Sequence, residues 1–270
     1  MKAFNNFRSS DYSNEVEITS AIEAIAPPTN LVAIINDDDF VELNWLDNSD
    51  NEVEFQIERE NPSLRSFELL STVEANVTSF IDSNVTPGEY YRYRVRAAND
   101  QTVSLYSNIA ESATSLNSPS GLSITALNEE MLNLEWTDNS SNETGFYIER
   151  EGANGNGFTL IDSVGENITS YVDEDLDENK EYKYRVNAFN NYSVSGYSNV
   201  SAGTTAINAP SNLELVNDDI GIVALSWTDN SNVEEGFVID RKNESGNYSE
   251  LTVLNENVTA FIDTSVEEGE

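Results

Sequence analysis

Residues 45–59 read WLDNSDNEVEFQIER, residues 136–150 read WTDNSSNETGFYIER, and residues 227–241 read WTDNSNVEEGFVIDR. The tryptophans Trp45, Trp136 and Trp227 are 91 residues apart in both intervals. A period that regular marks three copies of one unit, and the unit, not the whole chain, is what must be read. Around the first tryptophan, Val41, Leu43 and Trp45 alternate with Glu42 and Asn44. An alternation of period two is the mark of a half-buried strand. The Asp-Asn-Ser triplet that follows is turn chemistry, because these side chains bond their own backbone. Phe55, Ile57 and Arg59 then restart the alternation in a second strand.

Outward from this stretch, the same reading finds short strands at Leu31–Ile35, Phe67–Val73 and Val77–Ile81. Turns are expected at Asn36–Asp39, at Glu74–Asn76 and at Pro87–Gly88. Tyr91, Tyr93, Val95 and Ala97 alternate with Arg92, Arg94 and Arg96, and Tyr106–Thr114 closes the unit as one last strand. Seven short strands with turns every 8–12 residues, and no helical periodicity, predict an all-β sandwich. The second copy repeats each element, with Trp136, Phe146, Ile148, Tyr182, Tyr184 and Val186 in the places of Trp45, Phe55, Ile57, Tyr91, Tyr93 and Val95. The third copy carries Trp227, Phe237 and Ile239, and residue 270 falls one position before the match to Tyr90. Its last two strands are therefore expected to be missing, which leaves an unpaired edge and an uncovered core.

The N-terminal residues fit the same frame. KAFNNFRSSDYSNEV at Lys2–Val16 aligns without a gap to RAANDQTVSLYSNIA at Arg96–Ala110 and to NAFNNYSVSGYSNVS at Asn187–Ser201. Met1 stands where the other copies have Val95 and Val186. The expected organisation is residues 1–26 as the C-terminal remnant of a preceding repeat plus linker, 27–116 and 117–207 as two full domains, and 208–270 as a truncated third. The stretch 21–28, with two prolines, is expected to act as a stiffened linker.

Composition narrows the function. The chain has 270 residues, 49 Asp and Glu against 13 Lys and Arg, a net charge of −36, and neither Cys nor His. Nucleic acid and anionic membrane surfaces call for basic patches that this chain lacks. Without Cys and His, the chain has no disulfides, no thiol nucleophile, no His-dependent triad and none of the usual zinc ligands. No apolar run is long enough to span a bilayer. The start of the chain has no apolar signal-peptide core.

The unit resembles the fibronectin type III domain, in the form common in large bacterial extracellular proteins. The residues that carry the resemblance are the second-strand Trp, the Pro-x-x-Leu at Pro28–Leu31, Pro119–Leu122 and Pro210–Leu213, the run VTPGEYYRYRV at Val85–Val95, and Tyr-Ser-Asn near the last strand. The resemblance covers essentially the whole chain. It implies tandem seven-stranded immunoglobulin-like β-sandwiches, the third incomplete. It also implies a tyrosine corner, in which the Tyr91 and Tyr182 hydroxyls bond back to nearby backbone. No Arg-Gly-Asp motif is present, so integrin binding of that kind is not implied.

Several clusters invite a functional reading. The loops Asp47–Ser49, Asp138–Ser140 and Asp229–Ser231, with Glu52, Glu143 and Glu234, could be imagined around calcium. Calcium needs six to eight oxygens, and each loop offers about two carboxylates, so turn formation is the preferred reading. The acidic stretches Asp37–Asp39, Glu129–Glu130 and Asp218–Asp219 are read as turns as well. Lys2, Arg92, Arg94, Arg96, Lys183 and Arg185 form a basic stripe on one repeated strand. Cross-strand pairing with acids such as Glu54, Glu58 and Glu149 is preferred over a binding face. The sequon asparagines Asn76, Asn167 and Asn257 are read as turn residues before a β-branched strand. Acids that recur in every copy belong to the scaffold, so no catalytic, cofactor-binding or metal-ligating set of residues is predicted and no cofactor is expected.

The expected function is that of non-catalytic spacer or adhesion modules from a larger secreted or cell-surface protein. The alternative is an accessory region of a secreted carbohydrate-active enzyme whose catalytic domain lies elsewhere. The expected partner is a protein or carbohydrate ligand of unknown identity, with no nucleic acid and no membrane insertion, and the segment is expected to be monomeric and elongated.

Overall fold

The computed structural model describes residues 1–17, 23–36, 40–61, 64–152, 155–219, 222–242 and 245–266. It is all-β, with no helix among the described residues. Seven strands form the first repeat: β1 (Thr29–Asn36), β2 (Phe40–Leu46), β3 (Glu54–Asn61), β4 (Ser66–Glu74), β5 (Ser79–Asp82), β6 (Tyr90–Ala98) and β7 (Ala110–Ala113). They build two sheets, β1-β2-β5 and β4-β3-β6-β7, every described pair antiparallel.

The alternation read from the sequence is what closes this sandwich. Val41, Leu43 and Trp45 from one sheet and Phe55, Ile57, Tyr93, Val95 and Ala97 from the other are buried in a single cluster. The burial pattern of β2 alternates strand-long between buried and half-exposed positions. Each buried side chain of this size contributes about 1.5–3 kcal/mol relative to an exposed one. Trp45 meets Phe55 with ring centroids 5.7 Å apart and planes at 57°. The pair recurs as Trp136–Phe146 at 5.7 Å and Trp227–Phe237 at 5.5 Å. A tilted aromatic contact of this type adds about 0.5–1.5 kcal/mol beyond its buried area.

The second repeat has the strands β8 (Ser120–Ala126), β9 (Leu132–Thr137), β10 (Gly145–Glu151), β11 (Phe158–Gly165), β12 (Ser170–Asp173), β13 (Glu181–Phe189), β14 (Val194–Tyr197) and β15 (Ser201–Thr204). Its sheets are β12-β9-β8 and β11-β10-β13, with β14 and β15 both on β13. The final strand, expected to run unbroken, is divided here and shortened to β7 in the first repeat. The cause is local. Ser198 Oγ accepts the Val186 N–H at 3.1 Å, and Ser107 Oγ accepts the Val95 N–H at 3.1 Å. A serine hydroxyl thus takes a ladder position that a backbone carbonyl would hold, and regular pairing is interrupted there.

Just beyond that break, an asparagine joins the last strand to the first. Asn108 accepts the Leu31 N–H at 2.9 Å and donates to the Leu31 carbonyl at 2.8 Å. Asn199 does the same to Leu122, at 2.9 Å in both directions.

The third repeat comprises β16 (Ser211–Asp219), β17 (Ile222–Thr228), β18 (Gly236–Lys242), β19 (Tyr248–Asn255) and β20 (Ala260–Asp263). The sheets are β16-β17-β20 and β18-β19. Asp218 and Asp219, expected in a turn, belong instead to β16, paired with Val223 and Ile222. The turn expected at Asp37–Asp39 lies outside the described residues.

Met1–Asn14 shows some of the local bonding found in the full repeats. Asn5 N–H bonds the Arg8 carbonyl at 2.9 Å, as Asn99 does Thr102 at 3.0 Å and Asn190 does Ser193 at 3.0 Å. Ser10 Oγ accepts the Ala3 N–H at 2.9 Å, matching Ser104 with Ala97 at 2.9 Å. Ile25, in the stretch expected to be linker, is buried in the core of the first repeat.

Two compact units emerge from the backbone contacts. One is Met1–Thr86 with Tyr90–Thr114, the other Pro87–Glu89 with Ser115–Glu270.

Candidate functional site

The most built feature of each repeat is a polar network in its core, and the sequence pattern alone did not reveal it. Asp82, at the end of β5, is buried. Its Oδ2 accepts Arg59 Nη1 at 2.7 Å and the Tyr93 hydroxyl at 2.9 Å, and its Oδ1 accepts the Asn84 N–H at 3.0 Å. The second repeat rebuilds it with Asp173, Arg150 at 2.7 Å and Tyr184 at 2.8 Å. Burial, joined by the negative charge of Asp82, pushes the Tyr93 phenol far above its ordinary value, and Tyr184 shifts the same way. A buried carboxylate costs several kcal/mol unless it is paired and hydrogen-bonded, and both conditions are met here. In the third repeat, Asp263 accepts Arg241 Nη1 at 2.9 Å. No tyrosine reaches Asp263 among the described residues.

The tyrosine corner forms as the resemblance implies. Tyr91 Oη accepts the Thr86 N–H at 2.7 Å, and Tyr182 Oη accepts the Asp177 N–H at 3.1 Å. Gly88, with φ of +75°, supplies the left-handed residue that the preceding Pro-Gly turn requires.

Apart from Lys2, which lies outside the sheets with its ammonium 5.2 Å from the Tyr12 ring, the basic stripe is engaged within its own sheet. Arg94 Nη2 lies 2.6 Å from Glu58, and Arg185 Nη2 lies 2.6 Å from Glu149. Each guanidinium is also held between two rings: Arg94 over Phe67 at 4.4 Å and Tyr106 at 3.6 Å, Arg185 over Phe158 at 4.4 Å and Tyr197 at 3.6 Å. Arg92 bonds Glu60 at 2.9 Å and Glu111 at 3.1 Å, and Lys183 lies 3.8 Å from Glu151. One expected partner is different: Glu54 accepts from Gln56 at 2.8 Å. The Tyr106 hydroxyl donates to Glu58 at 2.6 Å, and burial together with that bond raises its pKa. The Phe67 and Tyr106 contributions were not foreseen. Arginine stacks on aromatic faces and pairs with carboxylates in the same pose because its fork is planar.

The acidic loops act as turns. Asp47 Oδ1 accepts the Ser49 N–H at 3.0 Å, Asp138 that of Ser140 at 2.9 Å, and Asp229 that of Ser231 at 3.1 Å. Glu143 accepts the Asn167 N–H at 3.2 Å, and Glu234 accepts the Asn257 N–H at 3.1 Å. Asn76, Asn167 and Asn257 all adopt left-handed backbone, with φ of 62°, 57° and 60°. No group of three or more acidic side chains converges for a metal among the described residues. Within the second unit, Glu178 accepts the N–H groups of Asn208 at 2.8 Å and Asn232 at 3.2 Å, which holds its carboxyl below the ordinary value.

With two sandwiches of this topology, three copies of the Trp–Phe pair and the tyrosine corner established, comparison with known proteins is informative. Residues 117–204 match the sequence model of the fibronectin type III domain. The second repeat is a fibronectin type III domain. The first and third repeats share the register of the second. A two-domain fibronectin type III segment of chicken tenascin superposes with a TM-score of 0.55 at 17% identity. That alignment covers 66% of this chain and 99% of the tenascin segment, and at such identity it speaks for the fold alone. The FN1–FN3 domains of chicken CNTN1 align over 91% of this chain and 90% of theirs, at 17% identity and a TM-score of 0.34. Fibronectin type III domains are generally non-catalytic and occur in tandem in multidomain proteins.

Proposed function

We propose that this tandem serves as a spacer and adhesion segment of a secreted or cell-surface protein. The observation that carries the reading is the use of the polar side chains. The conspicuous clusters, Asp82–Arg59–Tyr93, Arg94–Glu58 and the Asp-Asn-Ser turns, are each consumed by the scaffold and recur from copy to copy. A chemistry-bearing site is instead expected once, in a cleft, with groups left available to substrate. The high acidity supports a surface exposed to a salty medium, where charge repulsion is screened and the chain stays soluble. The ligand of such modules would be a protein or a carbohydrate, met by outward-facing sheet and loop positions, with no nucleic acid involved.

Antibodies raised against this chain test the proposal on intact cells of the organism that makes it. Surface labelling, or recovery of the antigen from the medium, is the expected result. Antigen confined to the cytosolic fraction overturns it.

A further inference from the structure

The loop between β10 and β11 in the second repeat holds a side-chain amide open to attack by its own main chain. Residues 152–157 read GANGNG, and Asn156 is followed by Gly157. Both residues are exposed. Gly157 has φ of +90°, and a Cβ at that position would meet nothing within 4 Å. Neither the Asn156 amide nor the Gly157 N–H makes a hydrogen bond among the described residues. Gly155 differs, since its N–H donates to the Gly152 carbonyl at 3.0 Å. The sister repeats differ too. At the matching positions the first has Arg65 and Ser66, and the third has Asn247 and Tyr248. The Asn247 amide donates to Ser245 Oγ at 3.2 Å.

The surroundings of the loop are unusual for this chain. A groove of about 330 Å³ beside it is lined by Glu151, Gly152, Gly155, Lys180, Glu181 and Lys183. Two lysines there balance two glutamates, in a chain whose net charge is −36. Nearby negative charge opposes loss of a proton from a peptide nitrogen, and this balance removes that opposition. Glu151 pairs with Phe158 at the mouth of the loop, so a change of loop length beyond that pair leaves the β10–β11 register intact.

We propose that Asn156 is a site of spontaneous deamidation, converting to aspartate and isoaspartate through a cyclic imide. The Gly157 nitrogen loses its proton and attacks Asn156 Cγ. The bond from Cγ to the amide nitrogen breaks, and that nitrogen leaves as ammonia, carrying the proton. Water then opens the imide. Cleavage of the ring nitrogen from Cγ gives aspartate, and cleavage from the main-chain carbonyl carbon gives isoaspartate. Both products add a negative charge, and isoaspartate also inserts a methylene into the main chain. Glycine permits the closure because it has no Cβ to crowd the ring and its backbone turns freely. The reaction consumes only water and needs no enzyme, so it proceeds wherever the protein resides.

The test incubates the full chain at mildly alkaline pH and follows it by peptide mapping with mass spectrometry. Isoaspartate is read by enzymatic methyl transfer to its carboxylate, and the imide by hydroxylamine cleavage between residues 156 and 157. Asn156 is expected to convert at least about tenfold faster than Asn247, because Tyr248 brings the Cβ that Gly157 lacks. In the folded chain it should also outpace Asn154, whose following N–H is engaged with the Gly152 carbonyl. In denaturant, where that bond is gone, Asn154 and Asn156 should convert alike. Asn156→Gln should remove the conversion and the hydroxylamine cleavage at that position. No conversion at Asn156, a rate no faster than that of Asn247, or equal or greater conversion at Asn154 in the folded chain each overturns the proposal.

Discussion

Tyr93 donates its hydroxyl proton to Asp82 across 2.9 Å in the core of the first repeat, and Arg59 bonds the same oxygen at 2.7 Å from the other side. Tyr93→Phe leaves the packing intact and deprives the buried carboxylate of one donor. Loss of one such bond to a charged group costs about 1.5–3 kcal/mol. Chemical denaturation of the chain should show this loss for Tyr93→Phe and a similar one for Tyr184→Phe. Tyr91→Phe, whose hydroxyl caps a backbone N–H at the rim, should cost less.

The same burial has a consequence in alkali. A phenol ordinarily ionises near pH 10. The folded values of Tyr93 and Tyr184 are raised above that, so the stability they contribute is complete below pH 10 and is lost as pH rises through the folded values. Titration followed by tyrosinate absorbance should leave Tyr93 and Tyr184 neutral at about pH 12, where exposed phenols are ionised. Both should ionise together with unfolding, and the Tyr→Phe variants should remove that late step.

Acid acts on a different link. Glu178 accepts two backbone N–H groups, and its carboxyl is held below the ordinary value of 4.5. Its contribution is therefore present above pH 4.5 and is lost as pH falls through the lower folded value. Amide exchange at Asn208 and Asn232 should accelerate over that acidic range. Glu178→Gln should make exchange at both amides independent of pH there, once the intrinsic exchange rate is corrected for.

Arg94 and Arg185 test the aromatic sandwiches. Arg94→Lys keeps the charge next to Glu58 but loses the planar stack between Phe67 and Tyr106. Partly desolvated cation–π contacts are worth about 0.5–2 kcal/mol. Thermal or denaturant unfolding should show a loss in that range for Arg94→Lys. High salt should not abolish the difference, because the ring contacts are less screened than an exposed ion pair.

The strands themselves were legible because their signal is periodic. Val41, Leu43 and Trp45 declare a buried face without help from any other part of the chain. The basic stripe and its acidic partners were legible for the same reason, since neighbouring strands carry outward residues of opposite sign. Asp82, Asp173 and Asp263 were not read as core residues. An aspartate is rarely buried, and only the arginine and tyrosine brought in from strands distant in sequence make the position tolerable. A signal did exist: Phe-Ile-Asp, Tyr-Val-Asp and Phe-Ile-Asp recur at Phe80–Asp82, Tyr171–Asp173 and Phe261–Asp263, each with the acid on an alternating strand. The divided last strand was missed because Ser107 and Ser198 read as ordinary strand residues until their hydroxyls are seen in the ladder. Phe67 was assigned to a strand correctly and Tyr106 was not, since it precedes the shortened β7, and what either ring touches depends on sheet order, which one sequence does not state.

Asn108 and Asn199 also determine how these repeats bear tension. Each grips the backbone of the first strand by two bonds that act side by side, at Leu31 and at Leu122. A pull on the two ends of a repeat is applied across those strands, so both bonds must yield together, whereas a hairpin ladder parts one rung at a time. The clasp is a mechanical fuse: Asn108→Ala should lower the rupture force of the first repeat in single-molecule stretching and leave that of the second unchanged.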